Sequence, residues 1–220
     1  MHNRAALAAW FIVGTAAALL AGCRDPAEGV QSADTREVVK SVEELARRGS
    51  DEDIERIYEV TTHNNSLVAA EAVRGLGSIR RPKAVEALSR VVAEEQRSDI
   101  REEAVLQLGR QKEDPPISIL RQVIQADPDA RVRAAAATSI AGLRSWDDAA
   151  LLMDVAERDP DLVVQSRAVS AVEDMIGLKF GYDSRAPMAE RQKALARMRS
   201  IALTAAATLR QYDSRAAGPR

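Results

Sequence analysis

"DPDARVRAAAATSIAGL", residues 127–143, carries the reading of this chain. Asp-Pro opens it, alanines fill its middle, and Val132, Ala136 and Ile140 recur at i, i+4 and i+8, which places them on one face of a helix. The same three positions recur at intervals of 32 residues: Val68, Ile100 and Val164 match Val132, while Ala72, Ala104 and Ala168 match Ala136. Leu76, Leu108 and Val172 match Ile140. A second helix follows in the same register, with Leu88, Leu120 and Leu152 spaced by 32 and Val85, Ile117 and Ala149 three residues before them. Self-similarity at such a period predicts stacked helix-turn-helix units, since a lone helix pair cannot bury its apolar face. The recurring alanine lets neighbouring units approach closely. Asp127-Pro128 and Asp159-Pro160 read as an Asp cap followed by Pro at the first helical position.

Working outward, residues 34–64 match the pattern at an offset of 31 and predict a divergent first repeat. Glu37, Lys40, Glu43 and Glu44 lie among its apolar positions, as expected of a terminal layer with one solvated side.

Together with "DDAALLMDVAE", residues 147–157, the opening stretch resembles the HEAT-like repeats of bilin-lyase-related (PBS-lyase-type) proteins over about residues 66–178. The resemblance implies an all-α fold: an α-solenoid of HEAT-like helix-turn-helix repeats, period 32, over residues 65–180, closed by a C-terminal capping helix. It implies no activity, because function belongs to sites and not to scaffolds. Arg101 and Arg133 occupy the Arg of the family's repeat start, whereas Ala69 and Gln165 stand at the equivalent places. Asp99 and Asp129 are their expected acidic partners, in a structural role.

In solenoids of this kind the second helices line the partner-binding surface. The outward positions here are Glu86, Ser118 and Ala150, then Arg90, Gln122 and Asp154, which differ from unit to unit while the core positions agree. Glu86, Arg90, Gln122 and Asp154 are therefore candidate partner-binding residues. Trp146, in the turn of one unit, is read either as an exposed anchor for a partner or as a cap over Leu143.

After Ile176, "GLKFGYDSRAPMAERQKALARMRS" predicts a turn and a long helix within residues 181–212, with Phe180 and Tyr182 packed beneath and residues 213–220 as a disordered tail. Leu195, Met198, Ala202, Ala205, Leu209 and Tyr212 form its inward stripe. From Arg185 to Arg220 eight Lys/Arg face two acids, a net of +6, against −9 for residues 24–184. Charge is polarised along the array, and a basic end could meet anionic lipid or an acidic partner.

At the other end, Ala5–Leu20 carries no charge, but sixteen helical residues would span only about 24 Å. With Arg4 before it and Leu20, Ala21 and Gly22 after it, residues 1–22 read as a signal peptide. Leu20-Ala21-Gly22-Cys23 resembles the lipobox of bacterial lipoproteins, which implies cleavage before Cys23, lipidation of Cys23 and acylation of the new terminus. Residues 23–33 then read as the lipidated Cys and a flexible tether.

After cleavage His63 is the sole histidine and Cys23 is occupied by lipid, so no Cys/His metal cluster or nucleophilic pair can be assembled. No metal or cofactor is expected. "SDEDIE", residues 50–55, offers acids for a cation, but capping already explains acids at a helix start. Export and the lack of aromatics among the arginines argue against nucleic acid. The reading is a noncatalytic lipoprotein of the cell membrane or outer membrane, facing periplasm or exterior and binding an envelope protein through its repeats. A small-molecule or chromophore-handling lyase-related protein and a structural spacer are the alternatives.

Overall fold

Helix pairs follow one another along the chain because each apolar stripe ends at a capping residue or a turn. The computed structural model describes residues 25–113 and 115–216. Among them are eleven α-helices: α1 Pro26–Gly29, α2 Thr35–Arg48, α3 Asp51–Val60, α4 Ser66–Ser78, α5 Pro82–Glu94, α6 Ser98–Leu108, α7 Ile117–Ala126, α8 Ala130–Gly142, α9 Ala149–Arg158, α10 Leu162–Ile176 and α11 Met188–Ala216. A single 3-10 turn, Trp146–Asp148, precedes α9. The first helices α2, α4, α6, α8 and α10 pack on one another in order, and each second helix, α3, α5, α7 and α9, packs on the first helix of the following repeat. The result is an α-solenoid. Val68, Ile100, Val132 and Val164 and the four matching alanines are buried between the layers, together with Leu88, Leu120 and Leu152.

Asn65, Asp129 and Asp161 cap α4, α8 and α10, each accepting a backbone N–H of the first turn. The expected caps Asp127 and Asp159 lie two residues earlier, where they end α7 and α9 and accept the N–H groups of Asp129 and Asp161 at 2.9 Å. Pro128 and Pro160 accordingly sit in the inter-repeat turns and not at first helical positions. Their place is set by the forward ion pairs described below.

Residues 25–33 differ from a free tether. α1 lies along α2, antiparallel to it: Asp25 meets Arg48 at 3.7 Å, Gly29 sits against Ser41 and Ser32 bonds Glu37. A Cβ at Gly29 would fall 2.0 Å from Ser41 Oγ and 3.1 Å from its Cβ, so a larger residue here would force the Ser41 hydroxyl aside. The polar strap is thus held along α2. Residues 1–22 and Cys23 lie outside the described residues.

At the other end the chain turns back. Phe180 N–H donates to Glu173 and Tyr182 Oη–H donates to Gln165 at 3.1 Å, so residues 177–187 retrace α10 toward its start. α11 then runs over α9 in the reverse sense, since Arg199 pairs with Asp154 and Glu157 while the later Arg210 pairs with Asp147. By contrast α3 and α5 advance together, through Asp51 to Arg81 and Tyr58 to Glu94. The inward stripe of α11 is Leu195, Met198, Ala202 and Ala206, with Leu209 partly buried; Ala206 replaces the expected Ala205, and Tyr212 is exposed. The helix continues to Ala216, past the expected end at 212, and residues 217–220 lie outside the described residues.

The start of α3 supplies a pH prediction. Asp53 and Ser50 form a capping box, and Arg48 donates to Asp53 at 2.6 Å. Burial pushes the Asp53 carboxyl upward, but hydrogen bonds from Ser50 and Arg48 outweigh it and hold the group below the ordinary carboxylate value. A carboxyl depressed on folding contributes stability above its unfolded pKa, about 4, and loses it as pH falls through the folded value. The urea midpoint should fall on acidification below about pH 4, and Asp53→Asn should flatten that slope while lowering the plateau at neutral pH. An unchanged slope in the variant would count against the assignment.

Candidate partner-binding face

The second helices turn a row of side chains away from the first-helix layer, and the structure sorts the candidates on them. Arg90, on α5, is committed: it donates to Glu55 on α3 at 2.9 Å and its guanidinium lies 3.8 Å from the Tyr58 ring centroid. Lys83 meets the same carboxylate at 2.8 Å, and these hydrogen bonds hold Glu55 below its ordinary pKa. Asp154, on α9, is covered by Arg199 of α11 at 2.6 Å. Trp146 is buried in the core, with Arg144 5.2 Å from its ring centroid, so it is no exposed anchor. Glu86 and Gln122 remain exposed, on α5 and α7.

The open part of the face is therefore α5 and α7, bounded on one side by the Glu55, Tyr58 and Arg90 cluster and on the other by α11. The sequence pattern misses this boundary because it treats each repeat alike. Long-range pairs from α11 to α9 have no period to reveal them.

The ladder of charges also differs from expectation. Arg101 and Arg133 pair not with Asp99 and Asp129 but with Asp127 and Asp159 of the next inter-repeat turn, each through two N–H groups at 2.8 to 3.0 Å. The third nitrogen of each, Nη1, reaches back to the carbonyls of the preceding turn, Glu95 and Gln96 for Arg101 and Asp127 and Pro128 for Arg133. Asp129 instead caps α8 and binds Arg131, whose hydrogen bond holds its carboxyl well below the usual range. Gln165 keeps only the backward half of the ladder, donating to Asp159 O at 2.7 Å. The recurrence of Asp127 and Asp159 was the available signal.

A cleft of about 420 Å³ opens where α3 and α5 end, lined by Tyr58, Thr61, Asn64, Val91, Glu94 and Arg97 among others. Its guanidinium is occupied: Arg97 binds Glu95 and the carbonyls of His63 and Thr61. The acids of "SDEDIE" are likewise engaged, Asp53 in the capping box and Glu55 with Lys83 and Arg90. Among the described residues no group of His, Cys, Asp and Glu is placed to hold a metal, and no helix is long and apolar enough to cross a membrane.

Stacked helix pairs with a continuous core and an open second-helix face define an α-solenoid repeat protein, a class that generally serves as a protein-interaction scaffold. The chain belongs to the HEAT-repeat family, whose model matches residues 17–109 and 93–173, more than half of its length. Among solved structures, the crystal structure of an engineered protein is similar over 83% of this chain and 95% of its own, at 16% identity and a TM-score of 0.46. A designed armadillo repeat protein is similar over 83% of this chain and 100% of its own, at 16% identity and a TM-score of 0.42. Neither likeness bears on function. No curated protein matches the chain.

Proposed function

We propose that this chain is a noncatalytic lipoprotein, held by lipid on Cys23 at the cell membrane or outer membrane with its repeats facing periplasm or exterior, and that it acts as a scaffold for an envelope protein. The observation that carries the reading is the open face of α5 and α7, where Gln122 is exposed between the Arg90 cluster and α11 and Glu86, also exposed, meets only Lys83 of its own helix at 3.6 Å. A photo-crosslinking residue at Gln122 is expected to capture one envelope protein in near-stoichiometric yield, with capture lost in the Cys23→Ser form. The same probe at Glu43, on α2, should capture none. Equal capture at both sites, or none at either, would overturn the reading.

The cleft below Tyr58 supports a second reading, a small-molecule or chromophore-handling protein. Native mass spectrometry of the chain purified from membranes decides it: a stoichiometric bound small molecule, lost on Tyr58→Ala, favours this reading, and a bare mass opposes it.

A further inference from the structure

The turns between repeats share one device, and the first of them builds it from a different residue. At positions 95, 127 and 159, spaced by 32, a carboxylate accepts the backbone N–H two residues on: Glu95 from Arg97 at 2.8 Å, Asp127 from Asp129 at 2.9 Å and Asp159 from Asp161 at 2.9 Å. The same register reaches position 63, in the turn before α4, where the residue is His63. Its ring takes over the task of the carboxylate, since Asn65 N–H donates to His63 Nδ1 at 3.0 Å. With that N–H aimed at Nδ1, the neutral ring carries its own hydrogen on Nε2. Asn65 is in turn the cap of α4, accepting Leu67 N–H at 3.0 Å, so the contact fixes the residue that starts the helix.

The joint differs from the later ones in a second way. Ala69 stands where Arg101 and Arg133 stand, and the turn is fastened to the next one through Arg97, whose Nη1 and Nη2 donate to His63 O at 2.8 Å and Thr61 O at 2.9 Å. Thr61, Thr62 and Asn64 of this turn form one wall of the cleft below Tyr58, and Arg97 lies across from them. The charges around the ring are mixed. Arg97 is matched by Glu95 and by Asp99 at the start of α6, and Glu94 accepts the Tyr58 hydroxyl. Glu59, at the end of α3, is exposed and joins the turn through its carbonyl, which accepts the Thr62 hydroxyl. Beside Asn65, α2 presents Arg36, Lys40 and Glu43, and α4 presents Glu71. With both signs present on every side, what protonation of the ring changes is the hydrogen bond: an imidazolium is a donor at both nitrogens, so its Nδ1–H would face the Asn65 N–H.

We infer that the turn at residues 61–65 is a proton-sensitive joint: protonation of His63 removes the acceptor of the Asn65 N–H and loosens both the start of α4 and the wall of the cleft that this turn supplies. Imidazoles ordinarily change charge between pH 8 and pH 5, whereas carboxylates do so about two units lower, so this turn responds in a window where the other three do not. Amide hydrogen exchange of the full chain, resolved by residue and expressed as protection relative to the intrinsic rate at each pH, reads the contact directly. Protection at Asn65 should fall about fivefold from pH 8 to pH 5, the factor for one ordinary hydrogen bond. Arg97, Asp129 and Asp161, whose N–H groups are held by carboxylates, should keep their protection over the same range and serve as controls within the same molecule. His63→Asp restores the acceptor type of the later turns and should hold Asn65 protected at both pH values, while His63→Ala should leave it poorly protected at both. Unchanged protection at Asn65 in the natural chain overturns the inference, as does the same fall in His63→Asp. An equal fall at all four amides also overturns it, because the loosening would then belong to the whole stack and not to this joint.

Discussion

Arg133→Ala is expected to lower the unfolding free energy by about 3 to 5 kcal/mol, the range for removing one partner of a buried ion pair. The side chain of Arg133 is 11% exposed and that of Asp159 7%, and the two meet through a planar double hydrogen bond. Truncation leaves the Asp159 carboxylate in its buried place with only the Asp161 N–H as a remaining partner, and it frees the carbonyls of Asp127 and Pro128. The magnitude reflects that unmatched burial and not the worth of the intact pair, which desolvation of both charges largely offsets. Arg131→Ala is the control: its side chain is 60% exposed, and its loss should change stability by about 0.5 kcal/mol or less. Because Arg133 joins the α8 layer to the turn before α10, its loss should also weaken coupling between repeats. Urea unfolding followed by circular dichroism should then show a broadened transition as well as a lower midpoint. A loss below about 1 kcal/mol would mean that the pair is solvated and that the ladder is no part of the stack's cohesion.

The same pair marks how far the sequence speaks for the structure. The layers were legible because burial between repeats imposes the same residue sizes at the same positions, so Val132, Ala136 and Ile140 recur as a set. The partners of Arg101 and Arg133 differ from the nearest acids in sequence because those acids serve their own helix starts, Asp129 as the N-cap of α8 and Asp99 within the first turn of α6. The correct partners lie 26 residues downstream, and only the stacking distance brings them close. At both ends, where the array stops, periodicity carries no information. Polar composition suggested a tether for residues 25–33, yet Gly29 allows a close approach to Ser41 that composition does not register. The reversed path of α11 depends on Glu173 and Gln165 receiving the chain after Gly177, contacts that occur once. On the candidate face, Glu86 and Gln122 remain open, whereas Arg90, Asp154 and Trp146 are claimed by neighbours from other repeats or from the core.

Gly109→Ala should destabilise the chain by about 3 kcal/mol, although alanine is the better helix former by up to about 1 kcal/mol. Backbone freedom is not the reason, because Gly109 has φ −64° and ψ −12°, which any residue adopts. The reason is the neighbour: a Cβ here would lie 2.5 Å from Ser139 Cβ and 2.9 Å from Ser139 Cα, and a backbone atom of α8 cannot yield as a side-chain tip can. Ser139 is also fixed from its other end, since its hydroxyl donates to Val105 O at 3.0 Å. One layer earlier the corresponding pair is Gly77 and Gln107, where an added Cβ meets side-chain atoms alone, Oε1 at 2.2 Å and Cδ and Cγ at 2.7 Å. Gly77→Ala should therefore cost less, because Gln107 can turn aside at the expense of its bond to Glu103. One layer later the register places Ala141 opposite Ala171, so the interface of α8 and α10 is built for a methyl group on each side. Ser139→Gly removes the clashing Cβ and should recover much of the loss in the Gly109→Ala background, while on its own it costs stability through the lost hydrogen bond. A double-mutant cycle with no coupling between residues 109 and 139 would show that the layers relax independently, and the close fit of α6 on α8 would then not set the spacing of the repeats.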